Sequence, residues 1–261
     1  MSDKIRLGGM ALTNGVLVHG PTSWACAVRT DEGEIKVASA PKRLFAPGIQ
    51  QPFLRGPLRL AESFAVLPDV RRKLPEARLP FERPSVLAAT LASALTVQVV
   101  RRSKLGETAR ELLSGALSLA PAMLALRGGE LAAYHGAEHV SIGTYEHGEK
   151  RAKEHERCGS HLIGPLLAAS AVSNVLASRA PAHLRGPART ASSVGAVGVA
   201  VEVFAWMTKH PRHPLAKALA RPGHELQHRI ATAEPSAAQL EVAEAALAAC
   251  LELEDGDQAG R

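Results

Sequence analysis

The stretch YHGAEHVSIGTYE, residues 134–146, sets two histidines four residues apart with a glutamate directly before the second. Imidazole and carboxylate groups at that spacing can build a transition-metal site, where neutral His nitrogens hold the ion and a carboxylate handles a proton. On an α-helix each residue turns about 100° from the last, so His135, Glu138, His139 and Glu146 share one face. Residues four apart stand roughly 5–6 Å apart at Cβ, so both imidazoles can meet one ion. The order is H-x-x-E-H, the inverted form of the zinc-protease helix motif. It predicts His135 and His139 as ligands of a divalent ion, zinc before others, with Glu138 as general base. Glu146 rises about 16 Å beyond His135 and is expected outside that sphere.

Other candidates lie downstream. Five of the eleven histidines, His135, His139, His147, His155 and His161, cluster between residues 135 and 161. His155 and Cys158 form H-x-x-C, a second spacing that clasps metals. Glu202 stands alone in the uncharged stretch ASSVGAVGVAVEVFAWM. A carboxylate there needs a partner, and an ion on the histidine pair would supply one; an arginine would serve as well. His224 and His228 are also four apart but lack a carboxylate on the right side. The plainer alternative for the whole region is a solvent-facing helix followed by a turn at RCGS.

Such groups need rigid elements to hold them. Apolar residues make up 46% of the 261-residue chain and aromatics 3%, so the hydrophobicity is mostly Ala, Leu and Val, which favours helices. The net charge of +6 suits nucleic acid or an anionic membrane surface. Lys and Arg gather beside apolar segments, and no basic strip carries the aromatics that stack bases. A lipid bilayer is therefore the expected partner, and nucleic acid is not. Cys26, Cys158 and Cys250 form no C-x-x-C pair, which suits a reducing compartment. The first residues lack the apolar core and cleavage site of a secretory signal.

Residues 8–40 read as short strands, ALTNGVLV, SWACAVRT and, past a DEGE turn, EIKVAS, which predict a small β-meander. Leu58–Leu67 reads as an amphipathic helix. Four apolar stretches follow, Pro84–Val100, Leu112–Leu126, Cys158–Ser178 and Thr190–Thr208. A straight crossing needs roughly 17–25 residues; the second stretch is short of that, and the last two are the clearest. Their Ala, Ser and Gly suit close packing in lipid, with an Ala-rich soluble bundle as the alternative. Ser236 and Gln239 form a capping box for a C-terminal helix whose stripe is Leu240, Ala243, Leu247, Cys250 and Leu251. The closing DGDQAGR is expected to lie beyond that helix and to be disordered.

The fold class is thus mainly α. The segments are a β-rich 1–83, a four-helix membrane domain over 84–208 carrying the metal motif, and a C-terminal 209–261. Basic ends place both termini and the motif on the cytoplasmic side of a multi-pass inner-membrane protein. The opposite loops, RRSKLGETAR and RAPAHLRGPAR, are basic too.

In pieces over nearly its whole length the chain resembles the YqhQ-like family of bacterial membrane proteins, which are held to be metal-dependent enzymes. The pieces are GGMALTNGVLVHGP, QPFLRG, YHGAEH with YEHG and RCGS, VEVFAW, HPRHPL, PGHELQ and EPSAAQLEVAEAAL, in that order. The resemblance implies four membrane helices, an N-terminal β-rich piece, and a metal motif on His135, Glu138 and His139. It adds His155 and Cys158 from the next block and Glu202 as the lone acid of the last apolar segment. Met10, Asn14, His19 and Val140 depart from the family's Gln, Glu, Arg and Lys, and the stretch before HERCG is short. Three functions stay open. One is a membrane-embedded zinc-type hydrolase of unknown substrate, with Glu202 or His155 completing the sphere. The second is a membrane protein whose metal cluster only staples helices, and the third is a soluble helical binding domain.

Overall fold

The computed structural model describes residues 4–45, 48–126 and 129–259. Strands β1 (Gly8–Leu12), β2 (Gly15–His19), β3 (Ser23–Arg29) and β4 (Ile35–Pro41) form an antiparallel sheet in chain order, the expected meander. ALTNGVLV is two strands rather than one, because the chain reverses at Thr13–Asn14 and pairs Leu12 with Gly15. Asn14 holds this turn: its amide donates to the carbonyls of Arg29 and Glu76 and accepts from the Arg78 N–H. The residue that departs from the resembling family's glutamate is therefore a tether between the sheet and the 76–78 segment.

Both faces of the sheet are covered, so β3 is buried along nearly its whole length. Leu12, Leu17, Trp24, Cys26 and Val28 pack beneath Val66, Val70, Leu74 and Leu79. The first three belong to or border helices α1 (Arg55–Ala65) and α2 (Leu67–Lys73), and Leu79 lies in the segment that follows. The helix expected over Leu58–Leu67 begins earlier and stops at Ala65. Pro68 lacks the N–H to continue it, and Val66 both ends α1 and starts α2.

The opposite face of the sheet, Ala11, Val16, Val18, Ala25 and Ala27, packs on two helices. Helix α5 (Glu130–His147) supplies Tyr134, Ala137 and Ile142; α9 (Ala237–Ala259) supplies Val242, Ala243, Ala246 and Cys250. Of these, the larger Ile142 and Val242 each contribute roughly 1.5–3 kcal/mol on full burial. The capping box forms as expected, Ser236 and Gln239 bonding reciprocally. Helix α9 also runs on through the segment expected beyond it, with Gly260 and Arg261 outside the described residues. Glu254 anchors that extension by accepting from the N–H groups of Thr22 (2.9 Å) and Ser23 (2.7 Å) and from both hydroxyls.

The remaining helices are α3 (Pro84–Arg102), α4 (Glu107–Leu126), α6 (Ile163–Ser178), α7 (Arg185–Lys209) and α8 (Pro214–Leu226). Helices α3 and α4 pair as a hairpin, with the Ser93 hydroxyl on the Leu117 carbonyl, and α6 pairs with α7. They turn apolar side chains outward, among them Leu91, Leu95, Val99, Leu112, Val172 and Val194. Among the described residues, Pro84–Arg102, Gly159–Ala177 and Gly186–Lys209 are long and apolar enough to cross a membrane. Leu112–Leu126 makes a fourth when taken with α5 across an 87° bend. At that bend α5 leaves the direction of α4 and enters the layer formed by the sheet and α9.

Candidate metal centre

Helix α5 is buried from Leu131 to Gly143 at every residue except His135, which is partly covered. Burial all round suits its neutral sequence of Ala, Gly, Ile and Val, but it forces every polar group inside to find a use. The 231–235 segment crosses the helix at close range. Ala233 N donates to Ala132 O (2.9 Å), and a methyl at Gly136 would overlap the Ala233 carbonyl.

Two carbonyls fix the histidines. The Nδ1 of His135 pairs with the Ala231 carbonyl at 2.8 Å, and that of His139 with the Lys153 carbonyl at 2.6 Å. A carbonyl only accepts, so both Nδ1 atoms carry the proton and both Nε2 atoms present a lone pair. His135 Nε2 lies 3.6 Å from Cys158 Sγ. His139 is 2% exposed, and its Nε2 is buried without a hydrogen-bond partner. One ligand atom from each of His135, His139 and Cys158 lies within 4.8 Å of the others. A tetrahedral zinc sphere, with Zn–N about 2.0–2.1 Å and Zn–S about 2.3 Å, has edges of roughly 3.3–3.6 Å. The His135–Cys158 edge already has that length, so the residues fit a divalent transition-metal ion.

Electrostatics agree with that donor set. Burial, reinforced by His135, holds the His139 imidazole well below its ordinary pKa and keeps it neutral. Burial pushes the Cys158 thiol up, against a pull from Ser160, and a cation is what would offset it.

Cys158 comes from a turn that a residue missed by sequence reasoning holds in place. Gln227, fully buried, accepts from His155 N at 2.8 Å. Its amide nitrogen lies 2.7 Å from Ser160 Oγ, 3.1 Å from His161 Nδ1 and 3.3 Å from His155 O. Gln227 opens a π-helical turn, Gln227–Ala231, whose last residue offers its carbonyl to His135. In the sequence its only signal is its place at the end of the block PGHELQ.

The other predicted residues divide. Glu138 faces β1, where a methyl at Gly9 would overlap its carboxyl group. Burial raises its pKa to about 8 against the pull of His135, and it has no hydrogen-bond partner among the described residues. Burial therefore favours its protonated form in the ion-free protein. His155 lies one layer out: its ring centre is 5.5 Å from that of His139, and its Nε2 is 3.2 Å from Glu146. Glu146 also pairs with Arg157, away from the His135–His139 pair. Glu202 is not brought to the histidines. It binds Arg55 through both oxygens, at 2.7 and 3.0 Å, so the carboxylate found an arginine, not an ion. His224 and His228 stack at 6.3 Å, and His228 pairs with Glu154. A cleft of about 650 Å3 opens beside the centre, lined by Arg6, Glu146, Arg151, His155 and Arg157 among others.

Residues 130–253 match a family described as Protein of unknown function (DUF1385). The match begins at the first residue of α5 and contains His135, His139, Cys158 and Gln227. Comparison with curated proteins and with solved structures gave no match.

Proposed function

We propose that the chain is a multi-pass inner-membrane protein of the YqhQ-like kind and a metal-dependent hydrolase. His135, His139 and Cys158 would hold the ion, zinc by the donor set. His139 Nε2 carries this reading: a bare lone pair, buried, beside a second imidazole and a thiol. Leaving such an acceptor unmatched costs about 1–3 kcal/mol, which a bound cation offsets. Three protein donors leave one tetrahedral position free, as in catalytic zinc sites. When bound, the ion supplies Lewis acidity. Glu138 holds a proton next to the centre, in the place of a general acid or base, and the bare backbone of Gly9 leaves it room. The two Nδ1–carbonyl pairs keep the imidazoles oriented.

Membrane residence is supported by the connectivity as well as by the apolar helices. The sheet precedes the α3–α4 hairpin, α5 lies between the hairpins, and α9 follows α6–α7, yet sheet, α5 and α9 pack in one layer. A layer on one side of a bilayer requires an even number of crossings in each interval. Four crossings in two pairs satisfy this and leave both ends of the chain on the side of the metal centre. The apolar part of α4, Leu112–Leu126, is only about 22 Å long, so its crossing draws on the turns at either end.

A second reading, an ion that only staples α5 to the 155–161 turn, is favoured by Cys158 coming from a different element than the histidines. Glu138→Gln separates the two. In full-length, detergent-purified protein the variant is expected to keep its ion and its Tm. It should lose whatever cleavage of chromogenic esters, phosphoesters or peptides the unaltered protein shows. Loss of the ion would make Glu138 a ligand and favour the staple; cleavage at the unaltered rate would refute its proton-handling role.

A further inference from the structure

Helix α1 is built inside out. Leu60 and Phe64, one turn apart, are 40% and 52% exposed, while Glu62 is 1% exposed. The Glu62 carboxylate accepts from the Phe45 N–H at 3.0 Å and is paired with Arg59. Phe53 and Leu54, at the start of the helix, are exposed as well. A helix on a water-facing surface takes the reverse arrangement, with its apolar stripe inward. A contiguous apolar patch of this kind marks contact with a membrane or another protein.

Its attachment to α7 sets how deep the patch lies. Arg55 is ion-paired with Glu202 at 2.7 Å, Val201 fills the space over Gly56, and the Phe53 carbonyl lies against Gly198. Glu202 precedes Lys209, the charged end of α7, by seven residues, about 10 Å along the axis. Amphipathic helices in the plane of a bilayer sink their apolar face roughly 5–10 Å. Val194 and Val199 on α7 are exposed as well. Residues 42–83 around the helix carry nine Lys and Arg against four Asp and Glu, which matches anionic headgroups.

We propose that α1 is an interfacial helix whose Phe53, Leu54, Leu60 and Phe64 lie among the headgroups and first acyl carbons of an anionic bilayer. The inference rests on α3, α4, α6 and α7 crossing that bilayer. The Arg55–Glu202 pair moors the helix at its depth, and through α2 it holds the sheet and the metal centre close to the lipid surface.

Full-length protein reconstituted in phosphatidylcholine–phosphatidylglycerol vesicles tests it. An environment-sensitive fluorophore is attached at Leu60→Cys, Phe64→Cys, Leu91→Cys on α3 or Glu244→Cys on α9, with the labelled unaltered chain as background. The labels at 60, 64 and 91 are expected to be quenched severalfold more by spin-labelled lipid than by aqueous iodide, and the label at 244 the reverse. If 60 and 64 behave like 244 while 91 is quenched by lipid, the crossings stand and the interfacial helix fails. If 60 and 64 are shielded from both quenchers and crosslink between chains, a second copy covers the face and the proposal fails. If 91 also escapes lipid quenching, the membrane reading fails with it.

Discussion

Two histidine pairs in this chain have the same spacing and opposite surroundings. His135 and His139 have ring centres 4.4 Å apart on a buried helix, each Nδ1 held by a carbonyl and a cysteine within reach. His224 and His228 stack nearly parallel at 6.3 Å on an exposed helix end, and the nitrogen His228 uses goes to a surface glutamate. A helix brings both pairs together; only the first pair has been desolvated and stripped of alternatives. Spacing supplies proximity, whereas a metal site also needs oriented lone pairs that nothing else consumes.

Breaking the first pair should have the largest effect. His139→Ala is expected to take detergent-purified protein from about one metal equivalent to nearly none, measured by elemental analysis, and to lower Tm with it. Gln227→Ala comes next. It leaves all three ligands in place but frees the Cys158 turn, so a chelator competition should show ion binding roughly 10–100-fold weaker. Glu202→Gln removes the Arg55 pair far from the centre; ion content should hold at the unaltered level, with at most a small fall in Tm. The smallest effect belongs to the exposed pair. His224→Ala with His228→Ala should change neither ion content nor stability beyond about 0.5 kcal/mol. If that double variant lost the ion while His139→Ala kept it, the contrast between the pairs would be reversed.

Much of this was legible from local pattern. Alternation revealed the meander, the Ser236–Gln239 box marked the start of α9, and the 100° turn per residue placed His135, Glu138 and His139 together. What stayed hidden depends on contacts across the chain. Glu202 looked like a ligand because a lone acid in an apolar run needs a cation, but no local rule says which, and Arg55 lies 147 positions earlier. Gln227 was passed over because an amide has no titration or metal chemistry to draw the eye; its importance lies in being wholly buried against the 155–161 turn. Cys158 was paired with His155 by spacing, while the fold pairs its sulfur with His135. The division at residues 84 and 208 likewise follows hydropathy, whereas α5, inside that segment, packs with strands and a helix from outside it.

The carbonyl of Ala231 that orients His135 is made 96 residues after it. His139 meets its Lys153 carbonyl 14 residues on, but His135 stays unheld while the first hairpin and the α6–α7 hairpin are completed, before the 227–233 segment exists. The apolar sheet face likewise waits for α9, the last helix to emerge. A chain cut short after α7 would carry both histidines and Cys158 and still lack the carbonyl that orients His135.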